Sequence, residues 1–263
     1  MANDEWLSAE GIARGLNTHV LARRVVYYES VGSTNDVAKQ LADAGEPEGT
    51  LVIADEQSAG RGRFGRAWIA PARSSILMSL VLRPPLQPQQ SLRVTMAVAL
   101  GVYDTIRAET GLDARTKWHN DILLRGKKCA GILAEAQIVG DALEYAVVGV
   151  GVNVNFAAAS VAGIPGDATT LSDELGKPLP RAPLVQSLLK CIEQYYLRLC
   201  AGENLRAEWA ARLATLHQRV RAQTPWGIEE GIAEDVDDDG TLLLRRVDGS
   251  LARLISGDVT FEG

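Results

Sequence analysis

Histidine, cysteine and aromatic residues are all scarce in this 263-residue chain, and each shortage removes a class of function. The three histidines, His19, His119 and His217, form no H-x-x-x-H pair, so hydrolytic chemistry on a histidine-bound metal has no ligand set to use. The three cysteines, Cys129, Cys191 and Cys200, are odd in number and show no C-x-x-C spacing, which excludes an obvious zinc site and suits buried free thiols in a reducing cytoplasm. No apolar run approaches the roughly 20 residues needed to cross a bilayer. The opening MANDEWLSAEG has early acids and no apolar core of signal-peptide length, so neither membrane insertion nor export is expected. An excess of positive charge is missing as well. The 27 Lys and Arg against 33 Asp and Glu leave a net charge of −6, which argues against a general nucleic-acid binder. With aromatics at 5%, the interleaved rings that a nucleic-acid module uses for stacking are nearly absent too.

What is present is an ordinary globular composition, 46% hydrophobic and 23% charged, in a chain long enough for one large domain and a small one. Residues 1–24 predict a short helical lead, with Ile12, Leu16, Val20 and Leu21 at roughly helical spacing. Residues 25–215 mix strand and helix signals. RVVYYES, TLVIAD and SILMSLVLRP read as strands, and GSTNDVAKQLADAG reads as a helix capped by Ser33 or Thr34 and stopped at Gly45. SLRVTMAVALGVYDTIRAETG carries an apolar stripe through Val94, Val98, Val102 and Ile106 and stops at Gly111, which predicts a buried helix. DARTKWHNDILL, KKCAGILAEAQIVG and LEYAVVGVGVNVNF follow as strands, and PLVQSLLKCIEQYYLRLC and NLRAEWAARL as helices. Over residues 216–263 the pattern changes to QRVRAQT, IEEGIAEDV, TLLLRRV and SLARLISGDV, joined by turns rich in Gly and Asp, which predicts a small β-barrel. The fold class is mixed α/β with a separate β unit at the end.

The most informative stretch is GRGRFGRAW, residues 60–68, with three glycines and three arginines between two strand signals. Gly60, Gly62 and Gly65 let backbone N–H groups turn toward a ligand, while Arg61, Arg63 and Arg66 set fixed positive charge beside them, so the loop reads as an anion clamp. Four other segments carry polar groups in places that a core would not choose. Ser33-Thr34-Asn35 sits at a strand-to-helix junction, where capping alone explains it more readily than ligand binding does. KWHND, residues 117–121, suits a pocket rim or a solvated turn. KKCAGILAE, residues 127–135, opens with Lys128, an edge-strand lysine or a ligand contact, followed by the small Ala130 and Gly131. GVGVNVN, residues 149–155, ends an apolar strand with Asn153 and Asn155, whose amides donate and accept.

In their order, GSTND, EQSAGRGRFGRAW, KWHND, KKCAGILAE and GVGVNVN resemble the biotin–protein ligase family, over residues from about 25 to 263. The resemblance implies a catalytic domain of class II aminoacyl-tRNA synthetase-like fold with a mixed sheet, over residues 25–215, and an SH3-like barrel over 216–263. It implies ATP-dependent activation of biotin as biotinyl-5'-AMP and transfer to a lysine of a biotin carboxyl carrier domain, with ATP and Mg2+ required. By the same resemblance, Ser33, Thr34, Asn35, Gln57, Gly60, Arg61, Gly62, Arg63, Lys128 and Gly131 would bind biotin. Arg63, Arg66, Trp68, Lys117, Asn120, Lys128 and Asn153 would bind ATP, Asp121 would meet the metal, and Arg63 and Lys128 would act in catalysis. Two positions depart from the family pattern: His119 stands where proline is usual, and Phe64 where many relatives carry a second basic residue. Residues 1–24 are too few for the winged helix of the relatives that double as repressors, so no DNA binding is expected; the oligomeric state, a homodimer included, stays open. A lipoate or octanoate enzyme of the same superfamily and a non-catalytic nucleotide- or RNA-binding module are the competing readings.

Overall fold

The structure, a computed structural model, describes residues 7–262. Its elements are α1 (Ala9–Ala13), β1 (Val25–Tyr28), α2 (Thr34–Asp43), β2 (Leu51–Ala54), β3 (Ser75–Leu82), α3 (Leu92–Thr110), β4 (Ala114–Lys117), β5 (Asp121–Leu124), β6 (Lys127–Val139) and β7 (Ala142–Asn153). After these come α4 (Leu171–Leu175), α5 (Arg181–Cys200), α6 (Arg206–Ala210), β8 (Arg219–Thr224), β9 (Gly227–Val236), β10 (Leu242–Arg245), β11 (Leu251–Leu254) and β12 (Asp258–Phe261). Strands β1 to β7 make one sheet in the order β1-β2-β3-β7-β6-β5-β4, parallel between β1 and β2 and antiparallel elsewhere. The sheet is mixed, as the resemblance implies.

The two faces of this sheet have different fates, and the difference makes the site. Ile76, Met78, Leu80 and Leu82 of β3 and Val148, Val150 and Val152 of β7 join the main core with α3 and α5, which pack on each other. On the opposite face, Val52, Val81 and Val147 pack against Ala38 and Ala42 of α2. That short helix covers only part of the face and leaves the rest open.

The helical lead is a correction. Residues 1–6 of it lie outside the described residues, and of the remainder only Ala9–Ala13 is helical: Arg14 turns extended and Gly15 follows in a left-handed conformation at φ 73°. Side chains of α5 satisfy the backbone groups that a continued helix would have paired. The Glu193 carboxylate accepts from the N–H groups of His19, Val20 and Leu21, each at 2.7 Å, and Gln186 Nε2 donates to the carbonyls of Gly11, Ile12 and Arg14. The helical spacing of Ile12 and Leu21 is real in that both are buried, but the burial is achieved by an irregular strap.

The C-terminal unit is an antiparallel sheet in the order β11-β10-β9-β8-β12, with the architecture of an SH3-like barrel. SLARLISGDV is two strands, not one: the chain turns at residues 255–257, and β12 leaves β11 to pair with β8. The unit is welded to the first sheet. Val220, Ala222, Leu242 and Leu244 belong to the main core, and buried Trp118 donates its Nε1–H to the Gly240 carbonyl at 2.9 Å.

Candidate active site

A cavity of about 340 Å³ opens on the uncovered face of the first sheet. Its floor is written in the strand register. Leu77, Gly151, Gly131, Asp121 and Lys117 face one another in a single cross-strand row over β3, β7, β6, β5 and β4. Two residues along, Ser79, Gly149 and Leu133 form a second row. The glycines are needed for close approach: a Cβ on Gly149 would stand 2.2 Å from Asn35 Oδ1, and one on Gly151 would stand 2.6 Å from the Trp68 ring. Asn153 lies one row beyond Gly151, so the distance from the Asn35 row to the Asn153 row is about 13 Å at 3.3–3.4 Å per strand residue.

At the Gly149 row the cavity is lined by neutral polar groups. Gln57 Oε1 accepts from Thr34 N at 2.7 Å and Thr34 Oγ1 at 3.0 Å. Ser79 Oγ donates to Asn35 Oδ1 at 2.6 Å, and Asn35 Nδ2 donates to Glu135 Oε2 at 2.7 Å. Ser33, Thr34 and Asn35 are all buried, and Ser33 makes no side-chain cap bond to α2, so its hydroxyl is not spent on capping.

The glycine- and arginine-rich loop folds over this floor as a tight hairpin, with Trp68 N donating to Gly60 O at 2.9 Å and Gly62 N to Arg66 O at 2.7 Å. At its tip Phe64 and Gly65 take φ of 55° and 72°. Gly60 is the one expected site residue that does not line the cavity; a Cβ there would meet the Trp68 carbonyl at 2.5 Å, so its task is to let the hairpin close. The three arginines are in different surroundings. Arg61 pairs with Asp36 at 2.7 Å and Glu135 at 2.8 Å, and Arg66 pairs with Asp258 at 2.9 Å. Arg63 donates to neutral oxygens: Asn120 Oδ1 at 3.3 Å, Gly257 O at 2.9 Å and Ser256 Oγ at 2.8 Å. Burial pulls its pKa down, while nearby Asp121 and Asp258 act the other way. A guanidinium stays charged under such a shift, so Arg63 brings to the cavity a cation hydrogen-bonded by neutral groups.

Lys128 reaches the same cavity because of a β-bulge. Leu123 pairs with Lys128 and Ile122 with Ala130, leaving Cys129 as an extra residue, so Lys128 and Gly131 share a face although they are three apart. Lys128 Nζ lies 2.6 Å from Asp121 Oδ1 and 5.5 Å from the centre of the Trp68 ring. It is therefore not the free edge lysine of one sequence reading. The buried Cys129 thiol is pushed up in pKa by its burial and is an inert core group, while Cys191 and Cys200 are only partly buried.

His119 is buried behind the KWHND turn, edge-on to Trp118 at 4.7 Å, with no hydrogen-bond partner for Nδ1. Burial, and to a lesser degree Arg63, holds its pKa well below the ordinary 6.5. The sign of the consequence is fixed. Above about pH 6.5 the imidazole is neutral in both folded and unfolded chains; below it the unfolded chain takes up a proton that the folded one refuses, so stability is lost as pH falls. Urea unfolding between about pH 6.5 and pH 5 is expected to show an extra slope approaching 1.4 kcal/mol per pH unit in the native protein relative to His119→Gln. Equal slopes in the two proteins would contradict this.

Sequence reasoning missed Ser79, Asp36, Glu135 and residues 256–258, all of which hold the expected site residues. Glu135 stood in view as the last letter of KKCAGILAE, but nothing in the sequence pairs it with an arginine 74 positions earlier. The other expected residues, Ser33, Thr34, Asn35, Gln57, Arg61, Gly62, Arg63, Arg66, Trp68, Lys117, Asn120, Asp121, Lys128, Gly131 and Asn153, line the one cavity.

The Biotin/lipoate A/B protein ligase family matches residues 27–153, and the Biotin protein ligase C terminal domain matches residues 215–261. The chain is 39% identical over 249 residues to the biotin–(acetyl-CoA-carboxylase) ligase of Mycobacterium tuberculosis, covering 90% of this chain and 88% of that one. This chain belongs to the biotin–protein ligase family. Its likeness extends to the bifunctional ligase/repressor BirA of Bacillus subtilis, 35% identical over 256 residues, with 96% of this chain and 78% of that one covered. The biotin protein ligase of Aquifex aeolicus, solved with biotin and ATP, has the same fold, with a TM-score of 0.74 at 24% identity over 91% of this chain and 99% of that one. In this ligase, then, the mixed sheet and the terminal barrel correspond to the family's two matched parts, and the cavity lies between α2, the arginine loop and the barrel edge.

Proposed function

We propose that this ligase activates biotin with ATP as biotinyl-5'-adenylate and transfers the biotinyl group to a lysine of the biotin carboxyl carrier domain of a carboxylase. The observation that carries the reading is the single cavity that has neutral hydrogen-bonding groups at one end and the cations Arg63 and Lys128 further along the same floor. The neutral set, Ser33, Thr34, Asn35 and Gln57, suits an uncharged urea ring, which needs hydrogen bonds and no counter-charge. The cations suit the joining of two anions. Bringing a carboxylate to a phosphate at about 4 Å opposes two like charges by roughly 4 kcal/mol in a partly shielded site.

In the first step a biotin carboxylate oxygen bonds to the α-phosphorus, the bond from that phosphorus to the bridging oxygen breaks, and pyrophosphate leaves with the electron pair. Lys128, moving off Asp121, and Arg63 offset the charge on the approaching oxygens and on phosphorus. Asn153 Oδ1 is buried without a hydrogen-bond partner and is suited to accept from the adenine amino group, with Trp68 beside it as a ring to stack on. Arg66, Lys117 and Asn120 would contact the phosphates. Asp121 fits a magnesium ion that arrives with the nucleotide, since such a metal takes one or two carboxylates and fills its shell with phosphate oxygens and water. When bound, the metal adds positive charge at the phosphates. In the second step the acceptor lysine amine attacks the biotinyl carbonyl, an amide forms, AMP leaves with the bonding pair, and the amine proton passes to solvent.

The same reading includes a cytoplasmic location, where unpaired cysteines stay reduced. No helix among the described residues is long and apolar enough to cross a membrane. With a net charge of −6 no DNA partner is included.

Gly149→Ala is expected to drive Asn35 off its place over the floor and raise the KM for biotin about tenfold or more, leaving the KM for ATP near its native value. Steady-state kinetics in each substrate checks it, and equal rises in both would contradict it. The function itself is tested by incubating the protein with ATP, Mg2+, a carrier domain and either biotin or lipoate. Mass spectrometry is expected to show the acceptor gaining one biotinyl group, and a gain with lipoate instead would assign the sister activity.

A further inference from the structure

Three arginines crowd the loop, and Arg61 is the one held by two carboxylates, where Arg66 has one and Arg63 is held by neutral oxygens. Arg61 gives two hydrogen bonds to Glu135, at 3.0 and 2.8 Å, and a third contact to Asp36 at 2.7 Å, so its charge is matched by two carboxylates from outside the loop. Asp36 is in the first turn of α2, and Glu135 is on β6, on the face that carries Gly131 and Leu133. The second Glu135 link goes to the floor: Asn35 Nδ2 donates to Glu135 Oε2 at 2.7 Å, and Asn35 Oδ1 in turn takes the Ser79 hydroxyl. One carboxylate thus joins the base of the arginine loop to the polar end of the cavity. Although burial opposes it, hydrogen bonds from Arg61 and Asn35 keep the Glu135 carboxyl below its ordinary range, so it is ionised at neutral pH.

We infer that Glu135, with Asp36, is a positioning residue that ties Arg61 down as the anchor of the loop and aligns Asn35 for biotin. The Arg61 side chain then serves the loop's geometry, and the charge at the phosphates falls to Arg63, Lys128 and Arg66. A role in bulk stability is disfavoured by exposure. The side chains of Arg61, Glu135 and Asp36 are 38%, 33% and 53% exposed, and ion pairs so placed add little to folding. A bidentate fork, however, fixes direction strongly even where it adds little energy.

Which substrate's KM moves rests on the biotin reading; the anchoring of the loop does not, and the test separates the two. Wild type, Glu135→Gln, Arg61→Gln and the double variant are compared in two ways: the rate of tryptic cleavage after Arg63 or Arg66, sites that all four proteins share, in ligand-free protein, and steady-state kinetics. Glu135→Gln is expected to be cut about tenfold faster than wild type and to raise the KM for biotin about tenfold, while the KM for ATP and kcat change by less than about twofold. The double variant is expected to be cut no faster than either single one, because one link is being broken. Cleavage at the wild-type rate, an additive double variant, or a melting temperature lowered by more than about 4 °C with both KM values rising together would overturn the inference. A wild type without biotin activity would sink the proposed function alone, and the cleavage rates would then decide the anchor by themselves.

Discussion

Lys128→Ala is expected to slow biotinyl-adenylate formation by about 10²–10³-fold, the usual loss when one group aimed at developing charge is removed. The geometry supports an effect of that size and little beyond it in stability. Lys128 sits on a bulge at the cavity floor, paired with Asp121 at 2.6 Å; the Asp121 side chain is only 12% exposed, but it lines the open cavity, where water can take the place of the departed ammonium. The loss should fall on the chemical step, because a charge that counts most as oxygen closes on phosphorus lowers kcat and kcat/KM alike. Single-turnover formation of adenylate, followed without acceptor, checks this against a melting curve. Native turnover in a folded Lys128→Ala protein would remove the residue from the mechanism.

Arg63→Gly is expected to produce the second large effect, and of a different kind. In the structure Arg63 fastens the tip of the loop to the barrel through Gly257 O and Ser256 Oγ, and to the KWHND turn through Asn120 Oδ1. Glycine removes all three ties and adds freedom to a segment where Phe64 and Gly65 already take left-handed conformations. A mixed anhydride under a loose cover meets water and bystander amines. Biotin is therefore expected on lysines of an unrelated protein added to the reaction, at least about tenfold above the native background. Blotting or mass spectrometry of that protein reads the result; strict dependence on the carrier domain in the variant would contradict it.

The residues that fill the site were legible in the sequence because their composition is unsuited to anything else. GRGRFGRAW makes neither a helix nor a strand interior and could be read as a loop over a pocket; KWHND could be read as a pocket rim only in part, because Lys117, Asn120 and Asp121 line the cavity with Arg61, Arg63, Arg66 and Trp68 while Trp118 and His119 are buried in the core. The apolar stripe of α3, with its stop at Gly111, was equally plain. What could not be read was pairing at a distance. The bulge at Cys129 that turns Lys128 to the Gly131 face depends on the register between β5 and β6, and KKCAGILAE as a string assigns the two to opposite faces. The hold of residues 256–258 on Arg63 and Arg66 joins positions nearly 200 apart, and it depends on the turn that splits SLARLISGDV into two strands. The lead misled for a related reason: Ile12, Leu16, Val20 and Leu21 keep a helical period, but Glu193 and Gln186 on α5 supply partners for the backbone and relieve it of any need to be a helix.

The proposed chemistry rests on Arg63 and Lys128 converging on one cavity, where they let the carboxylate of biotin be joined to the α-phosphate of ATP. Biotin-dependent exchange of labelled pyrophosphate into ATP, run without any acceptor protein, isolates that step. Exchange is expected to require biotin, to find no support from lipoate, and to fall by about 10²–10³-fold in Lys128→Ala. Exchange that proceeds without biotin, or at the native rate in Lys128→Ala, would contradict it.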